Sequence, residues 1–196
     1  MSFLDLRSFI RHLDQRGELA RVTAEVDPDQ EMTIIQHRVL EVGGPALLFE
    51  NVRNSPYRVV TNLFGTAARV EQVFGRPPAE IGGLLASLAE DIMPPTFSSV
   101  WRNRKRILSC LNARMRTCRS GPILHHVCEP PMLTRLPCLK CWPLDGGPFF
   151  TLPLVHTVDP KTGRGNLGIY RLQRYDDAST GMHWQIEKGG GFHFAK

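Results

Sequence analysis

Five cysteines, Cys110, Cys118, Cys128, Cys138 and Cys141, lie within one 32-residue stretch of the chain. Cys138-Leu139-Lys140-Cys141 has the C-x-x-C spacing with which two thiolates share a metal or exchange a disulfide. A structural zinc needs two more ligands, and Cys118, Cys128, His125 and His126 are the nearby candidates; their spacing follows no regular zinc pattern. A thioredoxin-type pair opens a helix, whereas Pro137 and Pro143 bracket this one. The plain reading, that these are buried or incidental thiols, stands beside the metal and redox readings, and we expect Cys138 and Cys141 to be reduced and free of metal. Asp145-Gly146-Gly147-Pro148 and Asp159-Pro160-Lys161-Thr162-Gly163 are turn signals, the second closing a hairpin. The most specific stretch begins at Asn166. It reads Asn166-Leu167-Gly168-Ile169-Tyr170-Arg171-Leu172-Gln173, then Thr180-Gly181-Met182-His183-Trp184-Gln185, then Lys188-Gly189-Gly190-Gly191.

The elements that must position these residues follow from periodicity. Phe3, Leu6, Phe9, Ile10 and Leu13 form a helical stripe over residues 3–16, with Ser2 the expected N-cap and Gly17 the terminator. Leu19–Val26 favours extended chain up to Asp27-Pro28, a helix fits Glu31–Val42, and strands fit Ala46–Val52 and Tyr57–Leu63. Ala67–Phe74 and Pro78–Glu90 read as helices. From Gly121 onward prolines recur every few residues and leave little room for helix, so Phe149–Val158, Asn166–Arg174 and Met182–Glu187 read as strands. The expected fold class is α+β, with an N-terminal α/β domain over residues 1–117 and a β-rich domain over 118–196. The second domain stops in an apolar run after Gly191, with its last strand cut short, and we expect it to be incomplete.

The apolar fraction of 42% and charged fraction of 22% exclude global disorder. No apolar run approaches the ~20 residues that span a bilayer, so no transmembrane segment is expected. The opening Met1-Ser2-Phe3-Leu4-Asp5 lacks the basic-then-apolar order of an export signal. With an odd cysteine count this points to a reducing, cytoplasmic setting. The net charge of +5 is uneven: between Asp91 and Glu129 there is no acid, while Arg102, Arg104, Lys105, Arg106, Arg114, Arg116 and Arg119 accumulate. Such a belt is either a solvated face or a reader of phosphate. Only Trp101 is interleaved as a stacking platform and no nucleic-acid motif accompanies it, so no nucleic-acid partner is expected.

The ordered set from Asn166 resembles the UbiD family of decarboxylases. The resemblance extends to Leu136-Pro, Trp142-Pro, Asp145-Gly-Gly-Pro-Phe, Leu152-Pro-Leu, Asp159-Pro and Thr162-Gly, and to Leu6-Arg7 and Ala46-Leu-Leu-Phe-Glu-Asn near the N-terminus. It covers the whole chain but only about the first two-fifths of a family-length protein, and the Lys188 to His193 loop is most similar to menaquinone-biosynthesis members of the futalosine route. It implies a flavin-reductase-like split β-barrel, of which residues 118–196 are the first part. It also implies prenylated FMN, manganese and potassium as cofactors, with a flavin prenyltransferase as supplier. The reaction implied is non-oxidative decarboxylation of an aromatic or α,β-unsaturated acid, in menaquinone or ubiquinone biosynthesis, by a parent protein that is a homo-oligomer. Position by position, it implies Asn166 and His183 as metal ligands, the first through a hard carbonyl oxygen. Ile169, Tyr170, Arg171, His183, Trp184, Gln185, Lys188 and Gly189 are then cofactor contacts. Arg171 is the catalytic residue, its guanidinium pairing with the substrate carboxylate. The third ligand and the proton donor are expected beyond Lys196, so the 196-residue chain alone is expected to be inactive. Singly, each residue has a plain reading: Asn166 a turn residue, Tyr170-Arg171 a half-exposed strand pair, the glycines a flexible loop, His193 a strand surface residue. Two other classes remain open, a noncatalytic flavin-binding or assembly fragment and a zinc-stabilised nucleic-acid-binding module. If Asn166 and His183 share a metal, they should lie on neighbouring strands and face one side.

Overall fold

The computed structural model describes residues 3–111, 119–185 and 187–196. Helix α1 (Leu6–Gln15) is followed by strand β1 (Leu19–Val26), helix α2 (Glu31–Glu41), strand β2 (Ala46–Val52) and strand β3 (Val59–Thr61). Ser2, the expected N-cap of α1, lies outside the described residues. Asp5 takes that role instead: its carboxylate accepts the Ser8 N–H at 2.7 Å while its own N–H donates to the Ser8 hydroxyl at 3.2 Å. Gly17 ends the helix with φ at 70°, a left-handed conformation that costs glycine little.

β1 and β2 run parallel, with α2 as the crossover, and β3 adds antiparallel on the other side of β2. The central position of β2 explains its sequence. Ala46, Leu47, Leu48 and Phe49 form a continuous apolar run, all buried, because both faces of a middle strand are covered. Phe49 and Met32 are fully buried, and Val26, Leu47 and Val52 complete this core.

Helices α3 (Ala67–Phe74), α4 (Pro78–Ile92), α5 (Phe97–Arg102) and α6 (Arg104–Leu111) follow. Thr66 caps α3, Pro78 sits at the start of α4, and Thr96 with Ser99 forms a capping box on α5. Part of the basic belt is thereby explained. Arg106 donates to Asp91 at 2.9 Å, Ser87 at 2.6 Å, Leu84 O at 3.0 Å and Asn103 at 3.1 Å, so it ties α6 to α4. Arg104 lies 4.9 Å over the Trp101 ring. Arg114 and Arg116 lie outside the described residues.

The remaining elements are β4 (Phe149–Phe150), β5 (Leu154–Val158), β6 (Gly165–Ile169), β7 (Leu172–Arg174), β8 (Thr180–Met182) and α7 (Gly189–Phe194), after two short 3₁₀ turns at Pro122–His125 and Leu133–Arg135. They build a three-stranded sheet, β4-β7-β8, and a separate hairpin, β5-β6. Four sequence expectations change here. The run Met182–Glu187 is not a strand: β8 pairs with β7 over Thr180–Met182 and ends there, so His183–Gln185 lie outside the sheet. The run Phe149–Val158 is two strands, because Pro153 has no N–H to give a ladder. The run Asn166–Arg174 breaks at Tyr170-Arg171, where the chain leaves one sheet for the other. The chain end is a helix, not a strand: Phe192 N–H reaches Lys188 O and Ala195 N–H reaches Gly191 O, both at 3.0 Å. Packing overrides the poor helix propensity of three glycines, since α7 lies on β5 and β6 and Phe194 stacks on Trp184 at 5.7 Å.

By compactness the chain forms two units, residues 1–12 with 64–127, and residues 13–63 with 128–196. Within the second unit the link between its segments is a backbone zip. Leu139 exchanges hydrogen bonds with Phe149, Lys140 donates to Pro28 O at 3.2 Å, and Gln30 donates to Lys140 O at 2.8 Å. Leu139 packs against the β1-β2-α2 core.

Candidate active site

Residues Asn166 to Gly189 form two adjoining groups in the second unit. The hairpin that carries the first is closed by Asp159. Its carboxylate accepts the N–H groups of Lys161 at 2.9 Å and Thr162 at 3.2 Å, and pairs with Lys196 at 2.5 Å. Lys196 first, then these N–H groups, hold its carboxyl well below the usual carboxylate range. The β5-β6 register sets Thr157 opposite Asn166 and Val155 opposite Gly168, so these four share one face.

That face is the half covered by α7. His193 Nδ1 lies 2.9 Å from Thr157 Oγ1. Tyr170, only 6% exposed, folds its ring over Gly168, where a Cβ would come within 2.5 Å of it. The Tyr170 hydroxyl accepts the Gly190 N–H at 2.7 Å and faces Asn166 Nδ2 at 3.5 Å. Trp184 meets the Tyr170 ring edge-on at 5.2 Å. Gly189 approaches the Asn166 carboxamide so closely that a Cβ would lie 2.6 Å from Oδ1.

The second group lines a cleft of about 300 Å³ that includes Phe149, Arg171, Gln173, Tyr175, Met182 and His183. The Arg171 guanidinium lies 5.0 Å over the Phe149 ring, a cation–π contact that holds its plane while the side chain stays exposed. Gln173 is fixed by donating to Gly146 O at 2.8 Å, which gives the Asp145-Gly146-Gly147 turn its place at the cleft. Tyr175 lies across Gly181, where a side chain would collide with its hydroxyl.

The structure thus brings Asn166, Tyr170, Trp184 and Gly189 together, and Arg171 with His183. It does not put Asn166 and His183 on neighbouring strands, as expected from sequence: β6 pairs only with β5, whereas His183 follows β8 in the other sheet. Ile169 points to the opposite, exposed face of the hairpin with Leu154, Val158 and Leu167. Gln185 and Lys188 are exposed, Lys188 as the extended residue before α7. His193 is a helix residue bound to Thr157, not a strand surface residue. Tyr175 escaped the sequence reading, and Phe149 and Gly190 were given no role of their own, although both stand inside stretches that carry the family resemblance, Asp145-Gly-Gly-Pro-Phe and Lys188-Gly189-Gly190-Gly191. Among the described residues no three His, Cys, Asp or Glu side chains converge on a metal-sized site, and Cys138 and Cys141 are free thiols, the first buried.

Two sequence profiles of one family match the chain. The 3-octaprenyl-4-hydroxybenzoate carboxy-lyase N-terminal domain matches residues 10–89, and the Rift-related domain of the same carboxy-lyase matches residues 116–196. The chain belongs to the UbiD family. A 4-hydroxybenzoate decarboxylase component from Chlamydia pneumoniae is 43% identical over 196 residues, 98% of this chain and 32% of that protein. An uncharacterised protein of Chlamydia muridarum is 47% identical over 192 residues, 96% of this chain and 32% of that one. The UbiD chain therefore spans about a third of the length of these relatives. Among solved structures, an evolved dimeric form of the UbiD-class enzyme HmfF from Pelotomaculum thermopropionicum, in complex with prFMN, superposes with a TM-score of 0.71. It is 25% identical, and the match covers 97% of this chain and 40% of that one. Vanillic acid decarboxylase of Sedimentibacter hydroxybenzoicus superposes at 0.73 and 23% identity, over 95% of this chain and 38% of that one, and shares the fold.

The cleft suits a flavin of the kind that the HmfF structures hold, whereas a metal would find one candidate ligand, Asn166, on this side and His183 in the other sheet. Asn166 carries a neutral amide carbonyl, a suitable hard donor, and Gly189 packs so close that a Cβ there would lie 2.6 Å from Oδ1. The exposed guanidinium of Arg171 and the imidazole of His183 supply charge and a nitrogen donor on the adjoining cleft.

Proposed function

We propose that this chain is the N-terminal and cofactor-binding part of a UbiD-type carboxy-lyase that removes carbon dioxide, without net oxidation, from an aromatic or α,β-unsaturated acid. The observation that carries the reading is the exposed guanidinium of Arg171, braced on Phe149 at the mouth of a cleft and one residue from the Asn166–Tyr170 cluster. In this reading residues 1–117 and 118–196 are the two family domains, and the two small sheets are parts of a split barrel. Asn166 holds manganese, with potassium as a further ion, and His183 serves the flavin from the adjoining cleft. Ile169, Tyr170, Arg171, His183, Trp184, Gln185, Lys188 and Gly189 hold prenylated FMN made by a flavin prenyltransferase. The parent protein is a cytoplasmic homo-oligomer that serves menaquinone or ubiquinone biosynthesis, the aromatic acid being its small-molecule partner.

Prenylated FMN, when bound, supplies an electron sink for the pair left behind as carbon dioxide departs. The protein's own work is placement. Arg171 forms two parallel N–H···O bonds to the substrate carboxylate and so sets the angle at which the ring of the acid enters the cleft. Phe149 restricts the guanidinium to that plane, and Tyr175 and Met182 line the cleft beside it. Lys188 places a positive charge at the start of α7, suited to a flavin phosphate.

Co-expression of the full-length parent protein with a flavin prenyltransferase, followed by an absorbance spectrum and an assay of carbon dioxide release from aromatic acids, tests the reading. A bound flavin is expected, and Arg171→Lys, which keeps the charge but loses the fork, should lower turnover by about a hundredfold or more. Protein without flavin, or undiminished turnover by Arg171→Lys, would contradict it.

A further inference from the structure

We propose that the outer face of α5 and α6 docks onto an anionic lipid surface, with Phe97, Trp101 and Leu108 entering the headgroup layer and Arg102, Arg104 and Lys105 pairing with lipid phosphates. Neither the flavin nor Arg171 enters into it, and the basic stretch that the carboxy-lyase reading leaves unused acquires a role.

This helix pair is inside out. Ser99 and Asn103 are buried, and the Asn103 amide donates to Ser99 O at 3.1 Å. Arg106, the next residue of that row, turns the same way and donates to Asp91, Ser87 and Leu84 O of α4. The polar side chains are thus spent inward, at spacings of four and three residues. Phe97, Trp101, Arg104 and Leu108, spaced four, three and four, take the other side. Phe97 is 86% exposed, Trp101 61% and Leu108 59%. A helix packed on a water-soluble body has the reverse arrangement, with its apolar stripe turned inward. The outward row is ordered. Phe97 and Trp101 stack with ring centroids 6.2 Å apart, and the Arg104 guanidinium lies 4.9 Å over the Trp101 ring while its Nη1 donates to Trp101 O at 3.0 Å.

Charge names the occupant. No acid stands between Asp91 and Glu129, and Asp91 is taken by Arg106 at 2.9 Å. Arg102, Arg104 and Lys105 are exposed, and among the described residues none of them has a carboxylate partner. The face therefore suits an occupant that is apolar and anionic at once. A bilayer with acidic headgroups is both, and indole beside Arg and Lys is the combination enriched at its interface. A bound peptide would need a concave seat, whereas Phe97 stands out from the surface. A nucleic-acid base would need a free ring, whereas Trp101 is already engaged by Phe97 and Arg104. Helices of six and eight residues are too short to cross a bilayer, so the contact lies in the plane of the interface.

Co-sedimentation of the full-length parent protein with lipid vesicles reads this and needs neither flavin nor turnover. Vesicles of phosphatidylcholine mixed with phosphatidylglycerol should bind the protein at low salt, and phosphatidylcholine alone at least about tenfold more weakly. Raising the salt to about 0.5 M should weaken binding at least about fivefold. Phe97→Ser with Trp101→Ser should weaken it about tenfold without lowering the melting temperature, because both rings are exposed. Arg102→Glu with Lys105→Glu should weaken it to a similar extent. A parent protein that binds neither vesicle overturns the proposal, as when the rest of the parent chain covers the face. Binding that falls with the charge reversals but not with the ring substitutions is adsorption by charge alone, and also overturns it. Single-stranded RNA bound more tightly than vesicles, and released by Trp101→Ser, overturns it in favour of a nucleic-acid face.

Discussion

At Cys138 the side chain is 4% exposed, and burial pushes its thiol up, against a smaller opposing pull from Arg174. Cys110 and Cys128 are exposed. The thiolate is the reactive form, so a thiol that is both buried and raised in pKa is inert twice over. The C-x-x-C spacing therefore does not confer on Cys138 the lowered pKa that a redox pair requires. In the folded protein at pH 8, Cys110 and Cys128 should be alkylated by iodoacetamide at least about tenfold faster than Cys138, read by peptide mass spectrometry. Equal rates would show that Cys138 is accessible or activated. What was legible at this scale was residue type and order. The turn glycine Gly17 and the ordered set from Asn166 could be named from sequence, because each serves a local geometry or a fixed pattern. Phe149 beneath Arg171, and the hydroxyl contact from Tyr170 to Gly190, join residues 22 and 20 positions apart. No local pattern marks such a pair.

Among the elements, β1, α2, β2 and α3 were legible nearly to the residue, since their periodicity agrees with what surrounds them. The errors gather in two places: residues 97–111, where α5 and α6 were read only as a basic belt, and residues 150–194, where tertiary contacts outweigh propensity. Tyr170-Arg171 looks like mid-strand but is a crossing between sheets, and Gly189-Gly190-Gly191 looks like loop but opens a helix whose tight approach to Tyr170 and Asn166 only glycine permits. The β5-β6 turn gives an element-scale prediction through Asp159. Its folded pKa is depressed, so the carboxylate form stabilises the folded state, in full above the unfolded value of about 3.9 and decreasingly as pH falls below it. Asp159→Asn should lower the melting temperature at pH 7 relative to the parent, and the difference should shrink steadily between pH 5 and pH 2. A gap that is constant across that range would mean that the carboxylate charge contributes nothing to the turn.

Over the whole molecule, burial is concentrated rather than shared. Five residues of β2 are buried, and Phe49 has no exposed surface, whereas α4 has no buried residue and leaves Leu84 and Leu85 half exposed. Amide exchange from a central strand requires opening of the core, while a helix with little buried apolar area opens by itself at lower cost. β2 should therefore be among the slowest segments to take up deuterium and α4 among the fastest helices, although Arg106 ties α4 to α6 by three hydrogen bonds. Phe49→Ala separates the two terms. It removes a buried aromatic side chain, at a cost of about 3–5 kcal/mol, from a core that includes Val26, Met32, Leu47 and Val52 and excludes every residue of α4. Exchange in β2 and α2 should accelerate by two orders of magnitude or more, and α4 should keep its parental rate until the protein unfolds globally. If α4 accelerates in step with β2 under native conditions, the two segments open as one cooperative unit, and the separation of residues 64–127 from the β1-β2-α2 core is not an energetic one.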